Sequence, residues 1–552
     1  MKARMKNRMH RLASWIRRLT GDPHRRKAQQ MAKLYQKGRP LDPSEGKVLF
    51  WVPGGMPLML HVEGTLAAAL RLRGIDTHAV ICDGPFRACV RRELTDGIPV
   101  SLWQETCEGC RAETSKILDF MRVPYSFIGD YLSKETRKEL WDKSGLVSWD
   151  NLDTLEYCKL NVGRNTRSAI LRYLKGHDLS GHEEVIREYA YSGLLAGAAA
   201  ASAIDRIEPS RIFLSHGTYV DWGPALQMGL HRRIPVTAWM ASYLKGRFYF
   251  RHVEDVKRID FHNMSRRAWE SALQRPFTDE QNARLEKFLE DRYKRNISFD
   301  MKRLMKYTGN VGLLGQKYGV SDGKPVWGII SHINWDCVSD YSPMAYTTFD
   351  DWMLDTIKEI VNLREVHWLI KIHPAESWDN PSSGVHRLIN RHFPELPSHI
   401  RVIPAEEQIN PAEFIQIVDG GVTVYGTLGL ELTLTGKPVI VAGEAHYAGK
   451  GFTYEGLTPE AYKQLLRETK SLGPMSKDKR ELARRYAYCY FIQRQIPFPV
   501  VDVDHSQWWE FNYQRRHLLL EGRDPFVDFI CDRILDGEDF IMDESLLKLG
   551  SK

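Results

Sequence analysis

A histidine–proline pair follows one predicted strand, at the position where ligands bind in α/β proteins. In KIHPAE (371–376), His373 and Pro374 come directly after the apolar run VHWLIKI (366–372). Proline stiffens the turn, so the imidazole would be aimed into the crevice beyond the carboxyl end of the strand. A histidine there can donate to a phosphate oxygen and offset negative charge. We predict this role for His373; the alternative is a loop histidine before an ordinary turn.

A second segment, GTLGLELTLTGKPVIVAG (426–443), supplies groups of complementary chemistry. Its first glycine permits a sharp exit from a strand, and Thr427 can cap the next helix or donate its hydroxyl group. The free amides at the start of a helix bind phosphate. Glu431 lies one helical turn further, on the face of Thr427, where a carboxylate can accept two sugar hydroxyls. The alternative is that Thr427 is only a cap and Glu431 a solvated surface residue.

Candidates for a general base lie in the first half of the chain. His216 and Asp221 belong to SHGTYVDWG (215–223), which follows a predicted strand. His61 and Glu63 follow an earlier strand, and Asn334 and Asp336 follow a strand in the second half. A base must come within about 3 Å of the hydroxyl group that it deprotonates, which a sequence cannot show. We favour His216 or Asp221, although either could simply brace its loop.

Two series of alternating strands and helices would position these side chains. Strand–turn–helix–strand units predict parallel sheets. The two series, joined by a charged helical stretch, predict an α/β protein with two Rossmann-like domains facing across a cleft. The predicted segments are a basic arm (1–45), an N-terminal acceptor domain (46–255), a helical connection (256–322), a C-terminal nucleotide-sugar domain (323–458) and C-terminal helices (459–552).

The positive charge of the chain is concentrated at its start. Residues 1–40 contain thirteen Lys and Arg and one acid, so the rest of the chain is slightly acidic despite a net charge of +7. This distribution argues against a nucleic-acid-binding body. Within the arm, an apolar stripe at helical spacing lies among basic residues: Met5, Met9, Leu12, Ile16 and Leu19. A basic amphipathic helix of this type can lie on an anionic inner membrane surface. The alternatives are a helix docked on its own protein and a solvated tail.

The cysteines and the hydropathy of the chain predict a compartment. The sequence has neither an apolar run of about 20 residues nor an apolar signal region at its start, so we expect a cytoplasmic protein. In that compartment the eight cysteines should be thiols or metal ligands. Four of them, ending in a C-x2-C pair, are candidate ligands of a structural zinc: Cys82, Cys89, Cys107 and Cys110. Cys82 lies in a predicted strand, where a buried thiol is the alternative.

HPAE, GTLGLELTLTGKPVIVAG and the following HYAGKGFT (446–453) together resemble one protein family. Residues 325–455 look like the C-terminal half of bacterial capsule polysaccharide biosynthesis glycosyltransferases, which include Kdo-transferase-like enzymes that use CMP-activated sugars. The resemblance implies a GT-B fold and an inverting transfer that requires no metal cofactor. It implies nucleotide contacts from His373, Thr427 and Glu431, and we add Pro374, Gly429 and Lys450 as further candidates for the same site. Lys450 stands where many relatives have an aromatic residue, so it could meet a phosphate or a sugar carboxylate, or be a solvated lysine.

The resulting expectation is a glycosyltransferase that builds a bacterial surface or capsular polysaccharide. It would take a nucleotide sugar, with a CMP-linked donor favoured, and a glycan or glycolipid acceptor. Its location would be cytoplasmic, with the arm able to make it peripheral to the cell membrane. The alternatives are a CDP-glycerol-type polyol-phosphate transferase, a sugar-nucleotide 2-epimerase and a non-catalytic partner in capsule assembly.

Overall fold

Apolar runs alternating with amphipathic helices form two separate central β-sheets. The computed structural model of the protein describes residues 23–53, 57–256, 262–295, 307–337, 343–379, 384–407, 409–503 and 509–550. The strands are β1 (Lys47–Val52), β2 (Asp76–Ile81), β3 (Tyr125–Phe127), β4 (Glu156–Tyr157), β5 (Leu160–Asn161), β6 (Arg211–Ser215), β7 (Val236–Ala241), β8 (Arg247–Val253), β9 (Val326–Ile330), β10 (His367–Lys371), β11 (Ile400–Ile403), β12 (Gly420–Thr423), β13 (Val439–Val441), β14 (Tyr454–Glu455), β15 (Ile496–Pro497), β16 (Val501–Val503) and β17 (Trp509–Phe511).

Helices cover the faces of both sheets. They are α1 (Pro23–Tyr35), α2 (Pro57–Leu72), α3 (Glu105–Met121), α4 (Lys134–Ser144), α5 (Val162–Leu174), α6 (Glu183–Ile207), α7 (Tyr219–His231), α8 (Arg266–Leu273), α9 (Asp279–Arg295), α10 (Val311–Tyr318), α11 (Phe349–Ile360), α12 (Ala375–Asp379), α13 (Val385–His392), α14 (Pro411–Ile417), α15 (Thr427–Leu434), α16 (Pro459–Glu468), α17 (Lys477–Tyr488), α18 (Pro525–Asp536) and α19 (Glu544–Leu549).

The two sheets have the strand orders of Rossmann-like domains. The first sheet has the order β15-β8-β7-β6-β1-β2-β3, with β8 and β15 antiparallel to their neighbours and the other strands parallel. The second has the order β11-β10-β9-β12-β13-β14 and is parallel throughout. β1 and β9 lie inside their sheets and are almost wholly buried, as their uninterrupted apolar sequences predict. The predicted α/β fold of the GT-B type is confirmed.

The last hundred residues return to the first sheet. α17 packs on α15 and α9, and β15 then pairs with β8 at the edge of the first sheet. An ion pair between Arg73, the residue after α2, and Asp528 of α18 fastens the later part of this segment to the first lobe. The prediction of helices alone for 459–552 is corrected, because three short strands lie there. Two-residue and three-residue strands are too short to leave an alternating pattern in the sequence.

Part of the predicted arm belongs to the first lobe. α1 packs against α3, with Met31 and Leu34 buried in the core, and the Tyr35 hydroxyl donates to the Met121 carbonyl at 3.0 Å. The boundary predicted at residue 45 is therefore too late for a detached arm. The stripe from Met5 to Leu19 lies outside the described residues.

None of the helices in the described ranges is both long and apolar enough to cross a membrane.

Candidate functional site

The carboxyl edges of both sheets carry polar side chains, most of which the sequence singled out. In the second sheet Asp336 follows β9, His373 follows β10 and Thr427 follows β12. In the first sheet His216 follows β6 and Tyr243 follows β7. Because the strands in question are parallel within each sheet, the loops of each sheet lie together at one edge.

Side-chain hydrogen bonds join these loops across the gap between the sheets. The Tyr219 hydroxyl, at the start of α7, donates to the Asp336 carboxylate. The Tyr243 hydroxyl lies 3.0 Å from Thr427 Oγ1. The carboxyl edges of the two sheets therefore face each other and enclose a cleft.

The His373 ring is held so that one nitrogen remains for a ligand. Its Nδ1 accepts a hydrogen bond from the Ala375 amide at 3.2 Å, which puts the ring proton on Nε2. Its own backbone amide donates to Ser331 Oγ at 2.9 Å. Burial, reinforced by the charge of Lys371, lowers the pKa of His373 to about 4, although Asp336 opposes this shift. At neutral pH His373 is thus an uncharged ring with an Nε2–H donor, and Pro374 begins the turn behind it.

Asp336 lies at the centre of the charged groups in the cleft. Its Oδ1 lies 3.7 Å from Arg172 Nη1, and its charge raises the pKa values of both His216 and His373 against the effect of burial. Burial alone would lower the pKa of Arg172, but Tyr219 and Asp336 more than reverse that effect. Arg172 Nε is buried and has no hydrogen-bond partner among the described residues. The cleft therefore contains a permanent positive charge with an unused N–H donor.

The two predicted bases, His216 and Asp221, have different surroundings in the structure. Burial and the charge of Arg172 lower the pKa of His216 to about 4, and its Nδ1 bonds to Ser215 Oγ. His216 is half-buried, neutral at pH 7 and adjacent to the charged groups of the cleft. Asp221 is instead 1% exposed, and its Oδ2 accepts the Val90 amide at 3.0 Å. The first turn of α7 directs the Asp221 carboxylate into the core, and its role as a base stays a prediction.

The alternative base candidates of the first lobe are also interior groups. His61 Nδ1 accepts the Phe511 amide at 3.3 Å, and Glu63 Oε1 accepts from Trp239 Nε1 at 2.9 Å. Burial raises the pKa of Glu63 to about 8 and lowers that of His61 to about 4. Both side chains brace the first lobe from inside.

A histidine that sequence reasoning missed fixes the loop in front of α15. His332 Nε2 accepts the amides of Val424 at 3.3 Å and Tyr425 at 3.1 Å, while its ring stacks on Phe349 at 4.8 Å. Burial lowers the pKa of His332 to about 3, so the ring stays an acceptor. This arrangement orients the start of α15, where Thr427 is the first residue.

Glu431 forms a buried ion pair with the connection between the lobes. Arg292 Nε of α9 lies 3.2 Å from Glu431 Oε1, and both side chains are at most 4% exposed. The Arg292 guanidinium also lies 4.9 Å from the centre of the Tyr243 ring. The reading of Glu431 as a solvated residue is thereby wrong, and a role in binding sugar hydroxyls would have to share its carboxylate with Arg292.

Gly429 leaves room for a tyrosine that anchors the same loop. A Cβ atom at residue 429 would lie 2.2 Å from the Tyr447 hydroxyl oxygen. That hydroxyl donates to the Gly426 carbonyl at 2.7 Å. Gly429 therefore allows close packing behind the start of α15.

Lys450 lies in the loop after β13, beside a buried histidine. His446 is 3% exposed, and burial followed by the charges of His262, Arg494 and Lys450 lowers its pKa well below the usual value. Its Nε2 has no hydrogen-bond partner among the described residues. Lys450 is half-buried, and its positive charge acts on this histidine.

A model of the capsule polysaccharide biosynthesis protein family matches residues 348–474, which include both His373 and α15. This match confirms, for residues 348–474, the family resemblance predicted from the motifs. Residues 348–474 are hereafter the capsule-family region. None of the curated proteins matches the chain.

Solved structures with a similar course of the chain include two of Thermosulfurimonas dismutans KpsC. Its β-Kdo 2,4 transferase is 16% identical over 51% of this chain and 79% of that chain, with a TM-score of 0.30. Its β-Kdo 2,7 transferase is 13% identical over 58% and 88%, with a TM-score of 0.32. A Neisseria meningitidis UDP-GlcNAc 2-epimerase is 9% identical over 80% and 95%, with a TM-score of 0.26. These likenesses are too distant to assign an activity.

Sequence reasoning missed several cleft residues that lie outside recognisable motifs. Arg172 and Arg292 are single cations on amphipathic helices, and Tyr243 is one aromatic residue in a loop, so none has a local signal. Lys371 does have a local signal in the sequence. It precedes His373 by two residues, so the two side chains lie on the same side of β10 and its extension. Its amine is buried without a hydrogen-bond partner among the described residues, and burial lowers its pKa to about 8.

The four cysteines predicted to hold zinc lie around one small cavity in the first lobe, away from the capsule-family region. Within the described ranges, however, no group of three or more His, Cys, Asp or Glu side chains could hold a metal ion. Burial raises the pKa of Cys82 well above its usual value and that of Cys89 to about 12. The structure therefore does not support the zinc prediction.

Proposed function

We propose that the protein is an inverting glycosyltransferase that takes a sugar from a nucleotide-activated donor. The acceptor would be a glycan or glycolipid in the synthesis of a bacterial surface or capsular polysaccharide. One observation carries this proposal: a neutral His373 with a free Nε2–H and the start of α15 flank β9, opposite Arg172 and His216 of the other lobe. The match of the capsule-family region, which holds His373 and α15, supports it.

The donor phosphate would bind between β10 and β12. These strands are two positions apart in the sheet, so their carboxyl ends lie about 10 Å apart on either side of β9. His373 Nε2–H would donate from one side and the first amides of α15 from the other, where the helix dipole favours an anion. Arg172 and Lys450 would add positive charge for the phosphate or for an acidic group of the sugar.

The transfer would be a single displacement. His216 would accept the proton of the acceptor hydroxyl, the oxygen would attack the anomeric carbon, and the bond to the nucleotide phosphate would break on the opposite face. The configuration at that carbon would invert. The negative charge on the departing phosphate would be stabilised by His373, Arg172 and the amides of α15, so the step as proposed uses no metal ion.

Glu431 and Gly429 would act by positioning in this proposal. Glu431 holds Arg292 beneath Tyr243, whose hydroxyl bonds to Thr427. Any contact of Glu431 with sugar hydroxyls would be additional to this pair. Pro374 would keep the His373 turn stiff.

A panel of nucleotides tests the proposal. We expect CMP or a CMP-linked sugar to raise the melting temperature of the full chain more than CDP, UDP or GDP compounds do, because a ligand stabilises the state that binds it. A larger shift with CDP-glycerol would favour polyol-phosphate transfer. The absence of any shift would contradict a nucleotide-dependent enzyme and favour a non-catalytic partner.

The variant His373→Ala tests the residue on which the proposal depends. A hydrogen bond to a charged group contributes about 1.5–3 kcal/mol, so we expect nucleotide affinity to fall roughly 10- to 100-fold. The matched control is His386→Ala, which removes an exposed imidazole from the same lobe. Near-normal nucleotide binding and turnover in a folded His373→Ala protein would contradict the assigned role.

A further inference from the structure

Four thiols surround one cavity beside the carboxyl edge of the first sheet. Cys82 and Cys89 lie in the segment after β2, whereas Cys107 and Cys110 lie in the first two turns of α3. Arg91 and Arg92 line the same cavity. All eight cysteines of the chain are thiols in this structure. The proposed transfer reaction uses none of the four.

Among the four cysteines, Cys107 is the one whose sulfur lies against an arginine side chain. Arg92 Nη2 lies 3.6 Å from Cys107 Sγ, and the thiol points to the Trp103 carbonyl at 3.6 Å. The pKa of Cys107 lies above its usual value, because burial raises it by more than Arg92 lowers it, and Cys110 raises it further. Among the described residues, no arginine side chain hydrogen-bonds to the sulfur of Cys82 or Cys89, although the charge of Arg92 also lowers the pKa of Cys89; burial raises the pKa of both thiols.

The spacing of Cys107 and Cys110 suits a disulfide after a small adjustment. Residues three apart on a helix have Cβ atoms about 5–6 Å apart, and a disulfide requires about 3.5–4.5 Å. The difference is roughly 1.5 Å by these values and falls within the first two turns of α3. The start of a helix tolerates such a change best, because its first amides carry no intrahelical hydrogen bond.

We propose that Cys107 and Cys110 form a thiol–disulfide exchange site that reacts with low-molecular-weight disulfides. The Cys107 thiolate attacks one sulfur of the small disulfide, forms a mixed disulfide and releases one small thiolate. The Cys110 thiolate then attacks Cys107 Sγ and displaces the second small thiolate. The two cysteines lose two electrons and two protons, and the small disulfide is reduced to two thiols.

Closure of this disulfide would change the segment that supports the cleft. Besides Cys107, the Arg92 guanidinium bonds to the carbonyls of Arg87 and Trp103, so it ties residues 87–92 to α3. The next residue, Glu93, pairs with Lys175 at 2.7 Å and with Arg172 at 3.9 Å. Moving Cys107 Sγ toward Cys110 removes one contact of Arg92. We expect residues 85–93 to open more often in the oxidised protein.

The test treats the full chain with glutathione disulfide and reads the intact mass and a non-reducing peptide map. We expect the wild type to lose two hydrogen atoms, to retain no glutathione at these positions and to give one peptide that joins Cys107 to Cys110. Cys110→Ser should trap glutathione on Cys107. The matched control Cys158→Ser removes an exposed thiol elsewhere in the first lobe and should not change the linked peptide.

Hydrogen exchange gives a second readout that does not depend on activity. Deuterium uptake of residues 85–93 should rise on oxidation in the wild type and stay constant in Cys107→Ser. The proposal is overturned if glutathione remains on both cysteines, if Cys107 pairs with Cys82 or Cys89, or if neither cysteine reacts. None of these outcomes bears on nucleotide binding, so the proposed function is tested separately.

Discussion

At the scale of single residues, the cleft depends on one carboxylate shared between the lobes. Asp336 of the second lobe accepts a hydrogen bond from Tyr219 and pairs with Arg172, both from the first lobe. The side chains of Asp336 and Arg172 are 43% and 28% exposed, so solvent screens the pair and its contribution to folding is small. The pair of Asp336 and Arg172 should instead affect turnover, because it sets the position of the Arg172 guanidinium.

The variant Asp336→Asn tests this point. Asparagine keeps an oxygen for the Tyr219 hydroxyl but removes the charge that holds Arg172. We expect turnover with the nucleotide donor to fall about tenfold or more, as for a misplaced charged group, with little change in melting temperature. In a double-mutant cycle with Tyr219→Phe, neighbours of this kind should show a coupling energy of about 0.5–3 kcal/mol. Strictly additive effects on turnover would contradict the shared contact.

The variant Asp221→Asn tests whether the buried Asp221 acts as the base. Burial raises the pKa of Asp221 to about 7, so the folded protein binds a proton there that the unfolded chain releases above about pH 4. The protonated form therefore stabilises the fold at low pH, and this contribution is lost as the pH rises toward 7. Asparagine mimics the protonated form and keeps an acceptor for the Val90 amide.

We expect Asp221→Asn to match the wild type in stability near pH 4 and to exceed it increasingly up to pH 7. The expected slope is at most about 1.4 kcal/mol per pH unit in the free energy of unfolding, measured with urea. The variant should retain turnover. A large loss of turnover in a folded variant would instead support Asp221 as the base.

At the scale of elements, α15 is held by side chains from three directions. His332 binds the loop in front of it, Tyr447 packs behind Gly429, and Arg292 of α9 pairs with Glu431. A phosphate site at a helix start requires such support, because its amides bind only if their direction is fixed. We therefore expect substitutions behind α15 to affect both stability and nucleotide binding.

Gly429→Ala tests this packing. Alanine gains about 1 kcal/mol in helix propensity, but its Cβ would meet the Tyr447 oxygen at 2.2 Å. Overpacking of this kind costs about 1–3 kcal/mol, so we expect a net loss of stability in urea unfolding. The added variant Tyr447→Phe should restore part of the loss by removing the oxygen. The control is Gly473→Ala, whose Cβ would meet nothing within 4 Å; equal stability of both variants would contradict the clash.

At the scale of the whole molecule, the chain passes between the lobes twice. The connection runs through α8, α9 and α10, and β15 brings the chain back to the first sheet. The Arg292–Glu431 pair is buried, and removal of one partner of such a pair costs about 3–5 kcal/mol. The relative position of the lobes is therefore fixed by interior contacts as well as by the bonds across the cleft.

The basic arm can be tested without damage to this assembly. α1 contributes Met31 and Leu34 to the core, so a truncation should remove residues 1–22 and keep α1. These residues contain seven Lys and Arg and one acid, and each basic residue near an anionic surface contributes about 1 kcal/mol. We expect the full chain to sediment with anionic vesicles, less so at high salt, and the truncated chain to remain in solution. Equal sedimentation of both proteins would contradict membrane attachment through the arm.

The sequence by itself determined the parts of the protein that depend on local periodicity. Continuous apolar runs such as VHWLIKI predicted the buried strands, because strands inside a covered parallel sheet need apolar residues on both faces. Because His373 and Thr427 come directly after strands, the sequence also predicted that both residues lie at one edge of the same sheet. Short edge strands such as β15 could not be predicted, since pairing over two residues leaves no periodic pattern.

Only the tertiary structure decided which polar residues meet in the cleft. Asp221 and His216 are five residues apart in one motif, yet the first turn of α7 buries one and leaves the other beside Arg172. Arg172, Tyr219 and Asp336 come from two lobes and far-separated positions, so their proximity depends on how the sheets face each other. Spacing along a chain specifies neighbours on one helix or strand, whereas burial and long-range pairing follow from packing, which no local pattern encodes.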